Sequence, residues 1–474
     1  MILKSKETKA GLAYTIGNML IKGIAFISTP LFARLMLPSD YGVVNNYLAY
    51  ESIFCVFVGL LLYSSVKNAK YEFSDTFDKY ISNIIFINIL TTIIFAVLIN
   101  IFSGFFEKIT GLNRILQNLL VFNCFSTSIY YIFSNYISLN YEYKKYLIAS
   151  GFNAIFNIII SLLLMLTVLK NDPSTARVIG YFVPIAIIAL FVSGSFFKKA
   201  KPDLNREQIS FGLKFSLPLI PNGLSDILLS QFDRLMIRNM AGDWELGIYS
   251  LSYNIYAIIG VLRNSLDMVW GPWCYKQLSS NDNSMIKKRA AQYAGGICIL
   301  SCLLILISPE IVFILGSKEY ISAKYSAIPL IVASFFVMLN TLPTHVLYFY
   351  KKTKFVSLSA IMATVLNVVL NVIFIKLYGY IAAAYTTTAS YLLLFILNFI
   401  FMVITNKKQP LPLVMIVLYI VIIILISAFS LIFINEMVIR MIAFSLIMII
   451  LFVIGLIFFK KYKGKKNEKD SANN

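Results

Sequence analysis

Fourteen stretches of this 474-residue chain are apolar for some 20 residues or more, and that pattern alone excludes most folds. About 20 consecutive apolar residues carry an α-helix across the hydrocarbon core of a bilayer. Within lipid every backbone N–H and C=O must be satisfied internally, so a chain spans as helices or as a closed barrel. The runs here are continuous rather than alternating, which selects helices. They lie near 12–33, 43–65, 80–102, 115–138, 146–169, 177–197, 213–237, 246–268, 290–312, 325–349, 355–376, 380–404, 411–434 and 437–459. Composition agrees: 13% of residues are charged, where a soluble protein carries roughly 25%. The fold class expected is an all-α polytopic membrane protein with about 14 transmembrane helices.

The net charge of +19 suggests nucleic acid until the charges are placed. Counted on alternate sides of the spans, 28 Lys and Arg fall with the two termini and 10 on the opposite side. The positive-inside rule then puts both termini in the cytoplasm, so the basic charge is a topology signal and no nucleic-acid partner is expected. The five cysteines, Cys55, Cys124, Cys274, Cys298 and Cys302, form no CxxC or Cys/His cluster, and no metal site is expected. The first apolar run is too long for a cleaved signal peptide and is interrupted by Lys22.

The chain echoes itself at a nearly constant offset. Phe32-Ala33-Arg34-Leu35-Met36 matches Phe232-Asp233-Arg234-Leu235-Met236, and Tyr41-Gly42-Val43 matches Leu246-Gly247-Ile248. Tyr143-Lys144-Lys145 matches Tyr350-Lys351-Lys352, each followed by asparagines one turn apart, Asn153 and Asn157, then Asn367 and Asn371. Spans 1–6 thus repeat as spans 7–12. Each half holds an even number of spans, so the repeats are parallel, related by an axis along the membrane normal. The expected domains are 1–207, 208–405, and a third part, 406–474, with two extra C-terminal helices and a basic tail. Those last two helices are apolar on every side, except for Glu436 and Arg440 in their connecting turn, and suit a peripheral, lipid-facing place.

Charges inside spans are costly and usually face a protein interior or a water-filled cavity. At about 1.5 Å of rise per residue, Lys22, Glu51 and Asp226 lie near mid-membrane. Arg234, with Asp233 beside it, lies near one end of its span, and Arg263 near the other end of the next. Asp267, one turn after Arg263, suits a local ion pair. Lys22, Arg263 and Arg234 are the candidate substrate-binding cations of a central cavity. Glu51, Asp226, Asp233 and Asp267 are the candidate charge-balancing or ion-coupling acids. Pro218 and Pro221, near the start of the seventh run, are the candidate hinge. His345, the sole histidine, stands beside Pro343 and suits a hydrogen-bonded packing role better than a proton relay. No P-loop, Gly-rich phosphate cradle or Ser/His/Asp set is present, so catalytic residues and enzyme activity are not expected.

The run Gly11-Leu-Ala-Tyr-Thr-Ile-Gly17-Asn18 and the segment Pro30-Leu-Phe-Ala-Arg34-Leu-Met-Leu-Pro38-Ser-Asp40-Tyr41-Gly42, with the 12 + 2 layout, resemble a known family. It is the oligosaccharide/polysaccharide flippases, the Wzx-type branch of the MOP exporter superfamily. The second half keeps Arg-Leu-Met but replaces Pro-Ser-Asp-Tyr-Gly with a longer turn, Arg238 to Gly247. The resemblance implies a V-shaped, MATE-like transporter of two six-helix lobes in the bacterial cytoplasmic (inner) membrane. Its cargo would be an undecaprenyl-pyrophosphate-linked repeat unit for O-antigen or capsule, carried by alternating access and coupled to H+ or Na+, without a cofactor. Its partners would be the lipid-linked oligosaccharide, membrane lipids and a polysaccharide polymerase or chain-length protein, and its state a monomer. The rival readings are export of another lipid-linked cell-wall intermediate, a MATE-like drug or cation antiporter, and a membrane glycosyltransferase or polymerase.

Overall fold

The computed structural model describes residue 17, residues 23–24, and residues 28–280, 282–405 and 410–453; helices dominate, and none of these residues forms a strand. In chain order the helices are α1 (28–35), α2 (Pro38–Gly59), α3 (Val66–Glu72), α4 (Phe77–Ile101), α5 (Ser103–Thr110) and α6 (Arg114–Leu139). Next come α7 (Tyr143–Leu166), α8 (Pro173–Lys199), α9 (Arg206–Ser216), α10 (Ile220–Met240), α11 (Asp243–Ser279) and α12 (Asn283–Leu315). The last are α13 (Ala323–Phe349), α14 (Thr353–Tyr378), α15 (Ala382–Thr405), α16 (Leu413–Ile432) and α17 (Met437–Val453). Where they are described, the apolar runs of the sequence are helical, and 43–65 and 213–237 are broken within the run. Among the described residues nine helices are long and apolar enough to cross a membrane, or ten if α2 and the segment Leu62–Glu72 form one bent span.

The helices start where the sequence supplies caps. Asp172 accepts from the Thr175 N–H at 3.0 Å ahead of Pro173, and Asn113 accepts from the Leu116 N–H at 2.9 Å. Between them run turns of a few residues. The break after α2 is different in kind. Leu60 and Leu61 both sit in the left-handed region (φ 48° and 50°), and the chain turns through 61° there. A left-handed residue with a Cβ costs roughly 1–2 kcal/mol, so packing must hold this bend. Gly59 provides the room for it: a Cβ there would lie 2.0 Å from the Ser128 hydroxyl of α6.

By contact the chain forms two compact units. The first is Met1–Leu251 with Leu315–Tyr320 and Thr364–Ala383; the second is Ser252–Ile314 with Ile321–Ala363 and Ala384–Asn474. In the first, α8 packs on α6 and α7, and α2 on α6 and α10. One apolar core joins Leu62, Tyr80, Ile84, Ile132 and Phe196; another joins Phe32, Tyr47, Leu116, Ala176 and Leu235. In the second, α13 is buried on nearly every side, while α16 leaves most of its apolar surface exposed, as a lipid-facing helix should.

The first unit also contains a close crossing of the starts of α2 and α11. A Cβ on Gly42 would lie 1.8 Å from the Asp243 carbonyl oxygen, and one on Gly247 would lie 1.8 Å from the Pro38 carbonyl oxygen. Gly42 and Gly247 are the glycines paired by the sequence repeat. Pro38 precedes the one by four residues as Asp243 precedes the other. The contact is reciprocal, as a pseudo-two-fold crossing of two repeated helices requires.

The chain between α8 and α9, which joins the two repeats, is clamped by one buried side chain. Asn83 of α4 donates to Asp203 Oδ1 (2.9 Å) and Gln208 Oε1 (2.7 Å) and accepts from the N–H groups of Asp203 and Leu204. All its hydrogen-bonding capacity goes to this linker.

Candidate functional site

In the first unit Glu51 projects from α2 into a setting with almost no solvent access. Its Oε1 accepts from the Thr127 hydroxyl of α6 at 3.1 Å and, at 3.5 Å, lies at the limit for the Tyr181 hydroxyl of α8. No cation lies within ion-pair distance of it among the described residues. A buried carboxyl held by neutral donors is energetically exposed to any cation or proton that reaches it. Thr127 and Tyr181 were silent in the sequence, since a hydroxyl in an apolar run carries no mark of the partner it faces.

Arg177, counted by hydropathy among the connecting charges, is instead tucked against the helices. It donates to the Asn157 amide oxygen and, at 2.9 Å, to Ser161, and its guanidinium lies 4.0 Å from the centroid of the Phe32 ring. Asn157, one of the repeated asparagines, therefore joins α7 to α8. Nearby in the chain, Asp233 is buried and accepts from the Tyr249 hydroxyl at 2.5 Å and from the Arg234 N–H at 2.8 Å. Arg234 is buried too and donates to Gln231 at 3.0 Å, so its guanidinium is held inside rather than extended to an interface.

Lys22 and the side chain of Asp226 lie outside the described residues. Pro218 occupies a 3-10 turn, Leu217–Leu219, and Pro221 the first turn of α10. The apolar run 213–237 is thus two helices with a joint between them. The joint falls where proline withdraws its N–H from the ladder.

In the second unit the expected pairing of Arg263 with Asp267 does not form. Arg263 is half-buried without an ion pair among the described residues, and Asp267 Oδ1 lies 2.8 Å from His345 Nε2. The partner stands 78 positions away, beyond the reach of any local spacing rule. Arg440, read as a turn residue, is buried at 1% exposure. It pairs with Glu310 of α12 and donates to the carbonyls of Leu306, Phe433 and Ile434, which ties α17 to α12. No group of three His, Cys, Asp or Glu that could hold a metal ion occurs among the described residues.

Comparison with known proteins decides the family. Residues 8–277, more than half of the chain, match the family model described as polysaccharide biosynthesis protein. The chain belongs to this family. It is 23% identical to a protein of the Lsg locus of Haemophilus influenzae, over 77% of this chain and 90% of that protein. It is 22% identical to an uncharacterized membrane protein of Methanocaldococcus jannaschii, over 85% of each. The helices superpose on the lipid II flippase MurJ in its inward closed conformation with a TM-score of 0.74 at 16% identity, covering 94% of this chain and all of that one. An inward-facing multidrug resistance MATE family transporter of the MOP superfamily gives 0.56 at 12% identity, over 84% and 98%. This member of the polysaccharide biosynthesis family is therefore a multi-pass membrane protein with the fold of the MOP superfamily.

Proposed function

We propose that the protein flips lipid-linked oligosaccharide repeat units across the bacterial cytoplasmic membrane, with both termini in the cytoplasm. One conjunction carries the reading. The chain belongs to a polysaccharide biosynthesis family, yet it is built almost wholly of membrane helices joined by turns such as Thr167–Asp172 and Ala200–Asn205. Among the described residues such turns are too short to hold a soluble catalytic domain. A chain of this kind contributes to polysaccharide synthesis by moving an intermediate already anchored in lipid. The fold shared with a lipid II flippase supports the same class of cargo.

In this reading the cargo is an undecaprenyl-pyrophosphate-linked unit destined for O-antigen or capsule, carried by alternating access. Lys22 and Arg263, with Arg234, meet the pyrophosphate-sugar head group, for which guanidinium forks suit phosphate oxygens. Glu51, Asp226, Asp233 and Asp267 balance those charges or bind the coupling ion, and the joint at Pro218 and Pro221 bends. The protein acts as a transporter and catalyses no bond change.

The test is reconstitution. Liposomes carrying purified protein and a fluorescent undecaprenyl-pyrophosphate oligosaccharide are expected to expose the glycan to an external quencher or glycosidase within minutes, and empty liposomes are not. Equal exposure in both overturns the reading. Arg263→Ala, at matched reconstitution, is expected to lower the rate on the order of tenfold, the scale of one charge-assisted contact. An unchanged rate removes Arg263 from the substrate site.

A further inference from the structure

The second unit holds a built arrangement of which the flipping reading uses only Asp267. Asp267, Gly271 and Tyr275 recur every four residues and form one stripe on α11, and the chain's only histidine, His345 of α13, lies along it. Nε2 is 2.8 Å from Asp267 Oδ1 and Nδ1 is 3.2 Å from the Tyr275 hydroxyl. Gly271 makes the fit: a Cβ there would lie 2.9 Å from the imidazole Cε1.

We propose that Asp267–His345–Tyr275 is a proton-binding site that couples transport to a proton gradient. The geometry serves both charge states of the ring. With the ring neutral, Nε2–H donates to Asp267 and Nδ1 accepts from Tyr275. With the ring protonated, both N–H groups donate, and the Tyr275 hydroxyl only rotates. Gain or loss of a proton thus leaves no ring nitrogen without a partner, which burial would otherwise penalise. Imidazole is the side chain whose ordinary range spans physiological pH. The Asp267 side chain is 43% exposed, so one edge of the pair is left uncovered by protein.

Other groups set the local field. Arg263 stands one turn before Asp267 on α11, and Tyr293 of α12 is within electrostatic reach of both. Tyr348 lies edge-on to the imidazole from α13 itself. The site carries no net charge with a neutral ring, from Arg263 and Asp267, and one positive charge with the ring protonated. It therefore changes charge by one per proton.

The coupling role rests on the transport reading; the proton site itself does not, and the experiment separates them. In nanodiscs, histidine-labelled protein gives the signals of one imidazole. They are expected to switch reversibly between the neutral and the protonated form as pH is varied, with a midpoint that moves in Asp267→Asn. A ring that holds one protonation state throughout, or a midpoint indifferent to Asp267→Asn, overturns the site. In proteoliposomes, one unit of pH difference is about 1.4 kcal/mol per proton, or up to about tenfold in leaflet distribution of the fluorescent cargo. That response is expected in the native protein and is lost in His345→Gln. It is also lost in Gly271→Ala, which removes no titratable group but displaces the ring. A full response in either variant overturns the coupling. Absence of flipping by the native protein at every gradient overturns the transport reading, and the coupling with it, while the titration still decides the proton site.

Discussion

Helices α2 and α11 each carry, four residues from their start, a glycine that presses against the carbonyl of the other's opening residue, Gly42 on Asp243 and Gly247 on Pro38. From that shared start they diverge. α2 stops after 22 residues at the left-handed pair Leu60 and Leu61, whereas α11 continues for 37 residues. α2 buries Glu51 among neutral hydroxyl donors. α11 gives Asp267, partly exposed, an imidazole. The crossing is a backbone requirement and tolerates only glycine, so both repeats carry it. The polar interior is a side-chain choice, and the repeats choose differently. Two carboxylates in such unlike settings suit unlike tasks.

The comparison breaks first at the crossing. Gly42→Ala is expected to lower stability by about 1–3 kcal/mol, the usual cost of forcing atoms into a filled site. Gly247→Ala is expected to match it, because the two contacts are reciprocal. Thermal unfolding followed with a thiol-reactive dye suits the measurement, since Cys124 and Cys274 are buried. A silent Gly247→Ala beside a damaging Gly42→Ala would show that the crossing is not symmetric.

Glu51 supplies the next test. Glu51→Gln keeps an acceptor for Thr127 and Tyr181 and removes only the charge. Its stability is expected to stay within about 1 kcal/mol of native, while flipping falls on the order of tenfold, the default consequence of losing an intramembrane charge with a task. If rate and stability are both unchanged, Glu51 is packing. Thr127→Val removes the 3.1 Å donor and is expected to cost about 1 kcal/mol without abolishing transport.

The sequence disclosed what depends on continuous local pattern. The run 325–349 became Ala323–Phe349, and Pro218 and Pro221 marked a true joint. The paired glycines, quoted only as an echo, proved to be one contact. Partners chosen across the fold were illegible. Asp267 turned from Arg263, one turn away, to His345, and Arg440 was drawn inward to Glu310. The bend after α2 was equally hidden, because leucine is an ordinary residue until packing forces it left-handed. The residues of the candidate site were visible as costly charges; the hydroxyls that answer those charges were not.

Whether burial is what separates Glu51 from an ordinary acid is sharpened by a carboxylate in a connecting turn. Asp203, in the linker after α8, meets Lys79 Nζ at 2.6 Å with its side chain 37% exposed. The hydrogen bond from Lys79, aided by the Asn83 amide, holds its carboxyl down from an ordinary 3.8 to about 2. A carboxyl depressed in the folded state contributes stability that is fully present above its ordinary value and is lost as pH falls through the folded one. The native protein is therefore expected to lose a small increment of stability between about pH 4 and pH 2. Lys79→Met is expected to shrink that increment, so its cost shows above about pH 4, fades toward pH 2, and stays small because an exposed pair is worth little. The readout is the difference in unfolding temperature between the two proteins across that range. If Lys79→Met instead destabilises the protein equally at about pH 2 and at pH 7, Lys79 holds the linker by packing rather than by charge. The contrast with buried Glu51 would then need a different exposed reference.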